Sequence, residues 1–157
     1  VSEAALYRHF ASKAQMFEAL IDFIESSVFG LINQIGEREP AGRARAARIV
    51  AMVLQFGEKN PGMARVMVGD ALVFENERLQ QRMNQFFDKL EAALRQGLRD
   101  AALPDGQGGD SATPTADAQL TASVLTSFMV GRLQRFARSG FRRSPTESLD
   151  AALTKML

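Results

Sequence analysis

The chain has 157 residues, 46% of them hydrophobic and 24% charged, with 19 Lys+Arg against 18 Asp+Glu for a formal net charge of +1. That is apolar content enough for one packed core, and too even a balance for a polybasic nucleic-acid binder of the histone kind. The absence of Cys and the single His exclude a disulfide scaffold, a thiolate or multi-histidine metal site and thiol catalysis, and suit a reducing compartment. The longest apolar run, Ile49 to Leu54, is far short of a membrane span, and no signal peptide is visible. The sequence begins at Val1 rather than Met, in the middle of what reads as a motif, so the expectation is a fragment.

The first segment, Val1 to Phe10, reads as a short helix capped by Ser2, with Leu6 and Phe10 four apart on its inner face. A turn leads to Ser12, whose spacing to Gln15 predicts a capping box. From Lys13 to Ile35, Met16, Leu20, Ile24, Val28, Leu31 and Ile35 recur at spacings of three and four. A second row through Phe17, Ile21, Val28 and Ile32 widens the apolar face, and Gly36 is expected to end the helix. Pro40 fits the first turn of the next helix, whose apolar content is Ile49, Val50, Val53, Leu54 and Phe56. Gly57 and Asn60-Pro61-Gly62 are expected to break it, with Asn60 capping a short helix from Pro61 to about Ala71.

Asn76 to Ala102 is predicted as a long helix, with Leu79, Met83, Phe86, Leu90 and Leu94 in one stripe and Glu91 four residues before Arg95. The stretch from about 104 to 117, rich in Gly, Pro, Asp, Ser and Thr, reads as a flexible loop. Helicity is expected again from about Ala118 to Ser139-Gly140. Ser144-Pro145-Thr146-Glu147 combines a cap, a first-turn proline and an acid before a last helix carrying Leu149, Leu153 and Leu157. With no strand signal, the fold class is all-α.

Little in the chain supports catalysis. His9 has no Cys or suitably placed Ser to work with, so neither a triad nor a zinc site has its parts. Gly106-Gln107-Gly108 resembles part of a dinucleotide fingerprint, but no strand precedes it and Ser111 holds the third glycine position. Acids at a helix start, as at Glu75 and Glu77 with Asp70 nearby, are ordinarily dipole partners. No enzyme activity and no cofactor are expected. The first ten residues are more informative: Ala4 and Ala5 would let the helix approach a groove floor and meet thymine methyls, and Tyr7, Arg8, His9 and Lys13 cluster where phosphates would flank it.

The string VSEAALYRHFASKAQMF resembles the end of a TetR-type helix-turn-helix: a recognition helix, then a Leu-Tyr-x-His-Phe-x-x-Lys signature leading into a long linking helix. The resemblance implies that residues 1–11 close a DNA-binding domain and that residues 12–157 form a helical dimerisation and partner- or ligand-binding domain. It implies that Ser2 caps the recognition helix, that Ala4, Ala5 and Tyr7 face DNA, and that Tyr7, His9 and Lys13 meet backbone phosphates. The implied partner is double-stranded DNA with palindromic sites, and the implied location is cytoplasmic and nucleoid-associated, with no membrane role.

The run from Phe56 to Gln96, together with EAALYRHF and ARSGFRRSPTESLDA, is similar to the nucleoid-occlusion branch of that family, so the likeness spans nearly the whole chain. It implies a DNA-bound protein that opposes FtsZ assembly, with a groove for the FtsZ C-terminal tail between the linking helix and the helix after it. Phe23, Met52, Gln55, Lys59 and Asn60 would line that groove. Leu31 stands where this resemblance implies a basic residue, and Met52 and Gln55 differ in size from their counterparts. The two terminal helices carry Leu125, Phe128, Met129, Leu133, Phe136, Leu149 and Leu153. These are expected to pair across a two-fold axis as a four-helix-bundle homodimer interface. The competing reading is a ligand-responsive TetR-type repressor with Met16, Phe17, Met52, Phe56, Met63 and Met67 around a small apolar molecule.

Overall fold

The computed structural model describes residues 10–73, 75, 77–102 and 114–157. Among these residues it is wholly helical: α1 (Lys13–Arg38), α2 (Arg43–Lys59), α3 (Pro61–Met67), a 3-10 turn (Asp70–Leu72), α4 (Glu77–Ala102), α5 (Pro114–Arg138) and α6 (Leu149–Met156). The expected helix over residues 1–10, its contact residues Ser2, Ala4, Ala5, Tyr7, Arg8 and His9, and the segment Gly106-Gln107-Gly108 lie outside the described residues.

The start of α1 follows the expected cap. Ser12 Oγ accepts the Gln15 backbone N–H at 3.1 Å, and Gln15 Oε1 accepts the Ala11 N–H at 3.1 Å, so two otherwise free donors are satisfied reciprocally. Phe17, Ile21, Ile24 and Val28, at spacings of four, three and four, form its buried row. Gly36 does not end the helix, which runs on to Arg38. The reason is tertiary: Arg45 of α2 donates to the carbonyls of Gly36 and Glu39 at 2.8 to 3.1 Å, satisfying acceptors that a helix end leaves open.

Five further boundaries differ from expectation. Pro40 precedes α2 by a turn, and the N-cap is Gly42 at φ 134°, a conformation that glycine adopts without a side-chain clash. Gly57 lies inside α2 and is buried, because the helix passes so close to α5 that a Cβ there would sit 2.4 Å from Leu133 Cδ2. The segment after Asn60 is helical only to Met67; Gly69 at φ 81° then turns the chain into the 3-10 turn. Helix α5 begins at Pro114, inside the expected loop. Ser144 closes a turn onto Thr146 N rather than capping a helix; α6 starts later, from Ser148.

Short connections make α1 and α2 antiparallel, and α2 ends where α1 begins. Gly97 in the last part of α4 faces Arg45 near the start of α2, while Gln80 in its first turn donates to Gly69 O at 3.1 Å. The ends of α2 and α5, the start of α4 and the whole of α3 therefore lie at the end of the body where α1 enters. The core runs along the bundle through Ile21, Ile49, Leu54, Met83, Phe86, Leu90, Leu125 and Met129, all buried. A ladder of ion pairs joins the entering part of α1 to α4 and to Glu75 just before it: Lys13 to Glu75 at 3.1 Å, Glu18 to Arg78, and Asp22 and Glu25 to Arg82 at 2.6 and 3.2 Å. Burial alone would disfavour the Arg82 charge, but the Asp22 hydrogen bond and the two carboxylates outweigh it and raise its pKa. The predicted Glu91–Arg95 pair is not among the ion pairs that the described residues form.

Candidate partner groove and the end of the body that faces it

Of the groove residues expected from sequence, Phe23 on α1 reaches the face of α2 that carries Met52, Gln55 and Lys59, through its contact with Phe56. Phe23 leaves α1 with half its surface in solvent, 51% exposed. Its ring lies 6.4 Å from that of Phe56 on α2, tilted by 35°. On α2, Met52, Gln55, Phe56 and Lys59 fall at positions i, i+3, i+4 and i+7 and so share one face. Met52 and Phe56 are half-buried, while Gln55 and Lys59 are exposed. An exposed phenylalanine beside a second ring is an unsatisfied apolar surface, and the polar Gln55 and Lys59 around it give that surface a direction.

Toward the entering end of α1 this face opens into a cleft of about 670 Å³, lined by Phe17 and Leu20 of α1, by Lys59 and Asn60, and by Pro61, Met63, Arg65 and Val66 of α3. Its floor is apolar and its rim carries two cations. Asn60 is fixed there by its own hydrogen bonds: Nδ2 donates to Phe56 O at 2.8 Å, and its backbone N–H reaches the carbonyls of Phe56 and Gly57. It thus closes α2, and its side chain makes no cap bond to α3. Phe56 and Leu20 belong to this surface although the sequence does not by itself place them in the groove. The signal for Phe56 is its spacing, four after Met52 and three before Lys59.

Of the ligand-pocket alternative, Met67 and Phe17 are buried in the core, and Met16, Met52, Phe56 and Met63 pack against it. Phe17 and Met63 reach the cleft just described, which is open to solvent. Leu31 is exposed on α1, two turns beyond Phe23.

Lys13, the one expected DNA contact among the described residues, stands at the first turn of α1. Its Nζ pairs with Glu75 and lies 5.9 Å from the Phe17 ring centroid. The side chain remains 53% exposed, so it is held near the body without being removed from solvent.

Of the expected dimer residues, Leu125, Met129, Leu133, Phe136, Leu149 and Leu153 are buried within the single chain, at 8% exposure or less, so they have little apolar surface to give a second copy. They form the inner row of α5 and α6 instead. Phe128 is half-buried, with Arg132 stacked 4.8 Å from its ring. The outward apolar row of α5 is offset by one position: Leu120 is 66% exposed and Val124 45% exposed, with Phe128 one turn further. Periodicity on α5 offers two apolar rows, and the choice between them depends on what α2, α3 and α4 cover.

One anchoring contact has a pH signature. Glu58 at the end of α2 accepts hydrogen bonds from Ser144 Oγ at 2.7 Å and Thr146 Oγ1 at 2.9 Å. These bonds, Ser144's foremost, lower its pKa below the usual carboxylate value. A carboxyl with a lowered folded pKa adds stability above its unfolded pKa and loses it as pH falls through the folded one. Thermal unfolding scanned from pH 6 downward should therefore show a Tm decrease below about pH 4 that is smaller in Glu58→Gln; identical pH profiles would remove Glu58 from this role.

Among the described residues no helix is long and apolar enough to cross a membrane, and no cluster of His, Cys, Asp and Glu could hold a metal ion. Residues 42–156 match the SlmA-like family described as the tetracyclin repressor-like C-terminal domain, and the chain belongs to that family. It is 50% identical over 151 residues to the nucleoid occlusion factor SlmA of Escherichia fergusonii, covering 96% of this chain and 74% of that protein. It is 49% identical over the same length to the proteins of that name from Klebsiella pneumoniae and Salmonella paratyphi B, with the same coverage of each.

Proposed function

We propose that the protein is a DNA-binding dimer of the nucleoid-occlusion type, which when bound to chromosomal sites takes up the C-terminal tail of FtsZ and opposes its assembly over the nucleoid. The observation that carries this reading is the half-exposed Phe23 ring packed on Phe56, on the face of α2 that also carries Lys59, a residue of the neighbouring cleft. Such a surface suits an extended peptide with an apolar anchor and acidic residues. Half identity to the named occlusion factors along nearly the whole chain supports it.

In this reading Ser2, Ala4, Ala5 and Tyr7 lie on a recognition helix, Tyr7, Arg8, His9 and Lys13 neutralise phosphates, and the outward row Leu120, Val124 and Phe128 of α5 meets its symmetry mate. Lys13 exchanges Glu75 for a phosphate oxygen when DNA arrives. A ligand-gated repressor fits less well, because a small apolar effector needs an enclosed pocket and this cleft is open with charges on its rim. The test is sedimentation of FtsZ polymers in the presence of the full-length protein, with and without duplexes it has selected from a random library. The proposal requires less polymer in the pellet, and less still with the selected DNA. Equal pellets in all conditions would reject it.

A further inference from the structure

Four arginines, Arg135, Arg138, Arg142 and Arg143, are exposed at the end of α5 and in the turn after it. None of them makes an ion pair among the described residues, and no acidic residue occurs between Arg132 and Ser144. Arg132 differs, because it is stacked on Phe128 and donates to Glu147 O.

The turn that carries Arg142 and Arg143 is built rather than loose. Gly140 at φ 66° and Phe141 at φ 65° reverse the chain, and Phe141 N donates to Phe136 O at 2.9 Å, the long bond of a Schellman closure. The Phe141 ring stands edge-on against Phe136, 5.2 Å between centroids. Ser139 Oγ donates to Phe136 O at 2.9 Å and accepts the backbone N–H groups of both Arg142 and Arg143, at 3.2 and 2.8 Å. The next residues are tied to α2 through Ser144 and Thr146 on Glu58. A helix dipole favours basic residues in a last turn. Here, however, the final carbonyls of Arg135, Phe136 and Ala137 already have donors, and Arg142 and Arg143 lie beyond the helix.

This cluster sits at the end of the body where α1 enters. Arg138 shares a small cleft with Gly69, Val73 and Gln80, and Glu75, two residues after Val73, pairs with Lys13 in the first turn of α1. We propose that Arg135, Arg138, Arg142 and Arg143 form a second nucleic-acid contact, on the body rather than the reading head, that grips the phosphate backbone of the bound DNA without reading its sequence. The inference rests on the DNA-binding reading above. Four guanidinium groups that form no ion pair among the described residues, two in the last turns of α5 and two in the built turn after it, at the end of the body where α1 enters, present fixed positive charge to a polyanion.

The experiment is the salt dependence of binding of full-length protein to a random-sequence DNA duplex, by fluorescence anisotropy. For Arg142→Gln/Arg143→Gln the slope of log K against log salt should shrink by about 0.9 for each phosphate no longer neutralised, hence by about 3 to 4 in a symmetric dimer. Duplexes of any sequence should weaken alike, and Arg43→Gln, at the far end of the body, should leave the slope unchanged. Because the two arginines are exposed, the double variant should elute as a dimer with the wild-type circular dichroism; Arg138→Gln, on the helix itself, provides an independent second reading. If the wild-type protein binds duplex and both variants keep its slope, the body contact is wrong and the DNA-binding reading stands. If the wild type binds no duplex, both fall. Loss of binding to polyglutamate with an unchanged DNA slope would assign the arginines to an acidic protein and overturn the proposal.

Discussion

Phe86→Ala is expected to lower the stability of the fold by about 3 to 5 kcal/mol. The ring is fully buried at the middle of α4, held edge-on by Phe29 of α1 at 5.6 Å and by its neighbour Phe87 at 5.1 Å. Truncation removes a large apolar side chain from the seam between the entering helix and the rest of the body, and helices fixed by other contacts cannot collapse fully into the space left. Urea unfolding should show a lower midpoint at unchanged slope. A loss below about 1 kcal/mol would mean that α1 and α4 do not pack through this residue.

Phe23→Ala should behave in the opposite way, leaving stability nearly untouched while weakening the peptide partner. Half its surface is already in solvent in the free protein, so the fold loses little. Covering the exposed half of the ring in a complex removes apolar area worth about 0.7 to 1.5 kcal/mol, or roughly three- to tenfold in affinity for an FtsZ tail peptide. Lys59→Asp should add to this and make the residual affinity less salt-sensitive, because Lys59 stands exposed on the cleft rim. An unchanged affinity in Phe23→Ala, with the wild-type melting curve, would place the peptide elsewhere.

How far the fold can be read from sequence depends on how many apolar rows a helix carries. Helix α4 has one, Leu79, Met83, Phe86, Leu90 and Leu94, with charges around it, and all five are buried. Helix α5 has two, and the row expected to face a second copy is the inner one. Burial of Leu125 and Leu133 is decided by the approach of α2, which comes close enough at Gly57 to touch Leu133. The glycines mislead for the same reason. Gly36 and Gly57 look like breakers in isolation, yet Arg45 satisfies the carbonyl of the first and the second lies where α2 passes close to Leu133 of α5.

The candidate site divides in a similar way. Spacing alone gives Met52, Gln55, Phe56 and Lys59 a common face, but it cannot say whether that face is covered. Phe23 is singled out only by resemblance, since an aromatic on an amphipathic helix is ordinarily core; its exposure and its pairing with Phe56 are tertiary facts. The arginine turn after α5 is hidden differently. A net charge of +1 averages over acids that pair along α1 and α4, and conceals a local cluster that forms no ion pair among the described residues.

In the proposed function, the groove between α1 and α2 takes the FtsZ tail. A fluorescence anisotropy titration of a labelled FtsZ C-terminal peptide with the full-length protein tests it most directly. Saturable binding by the wild type, weakened in Phe23→Ala and again in Lys59→Asp, is the result predicted. No binding by the folded wild-type dimer, either alone or on DNA, would contradict it.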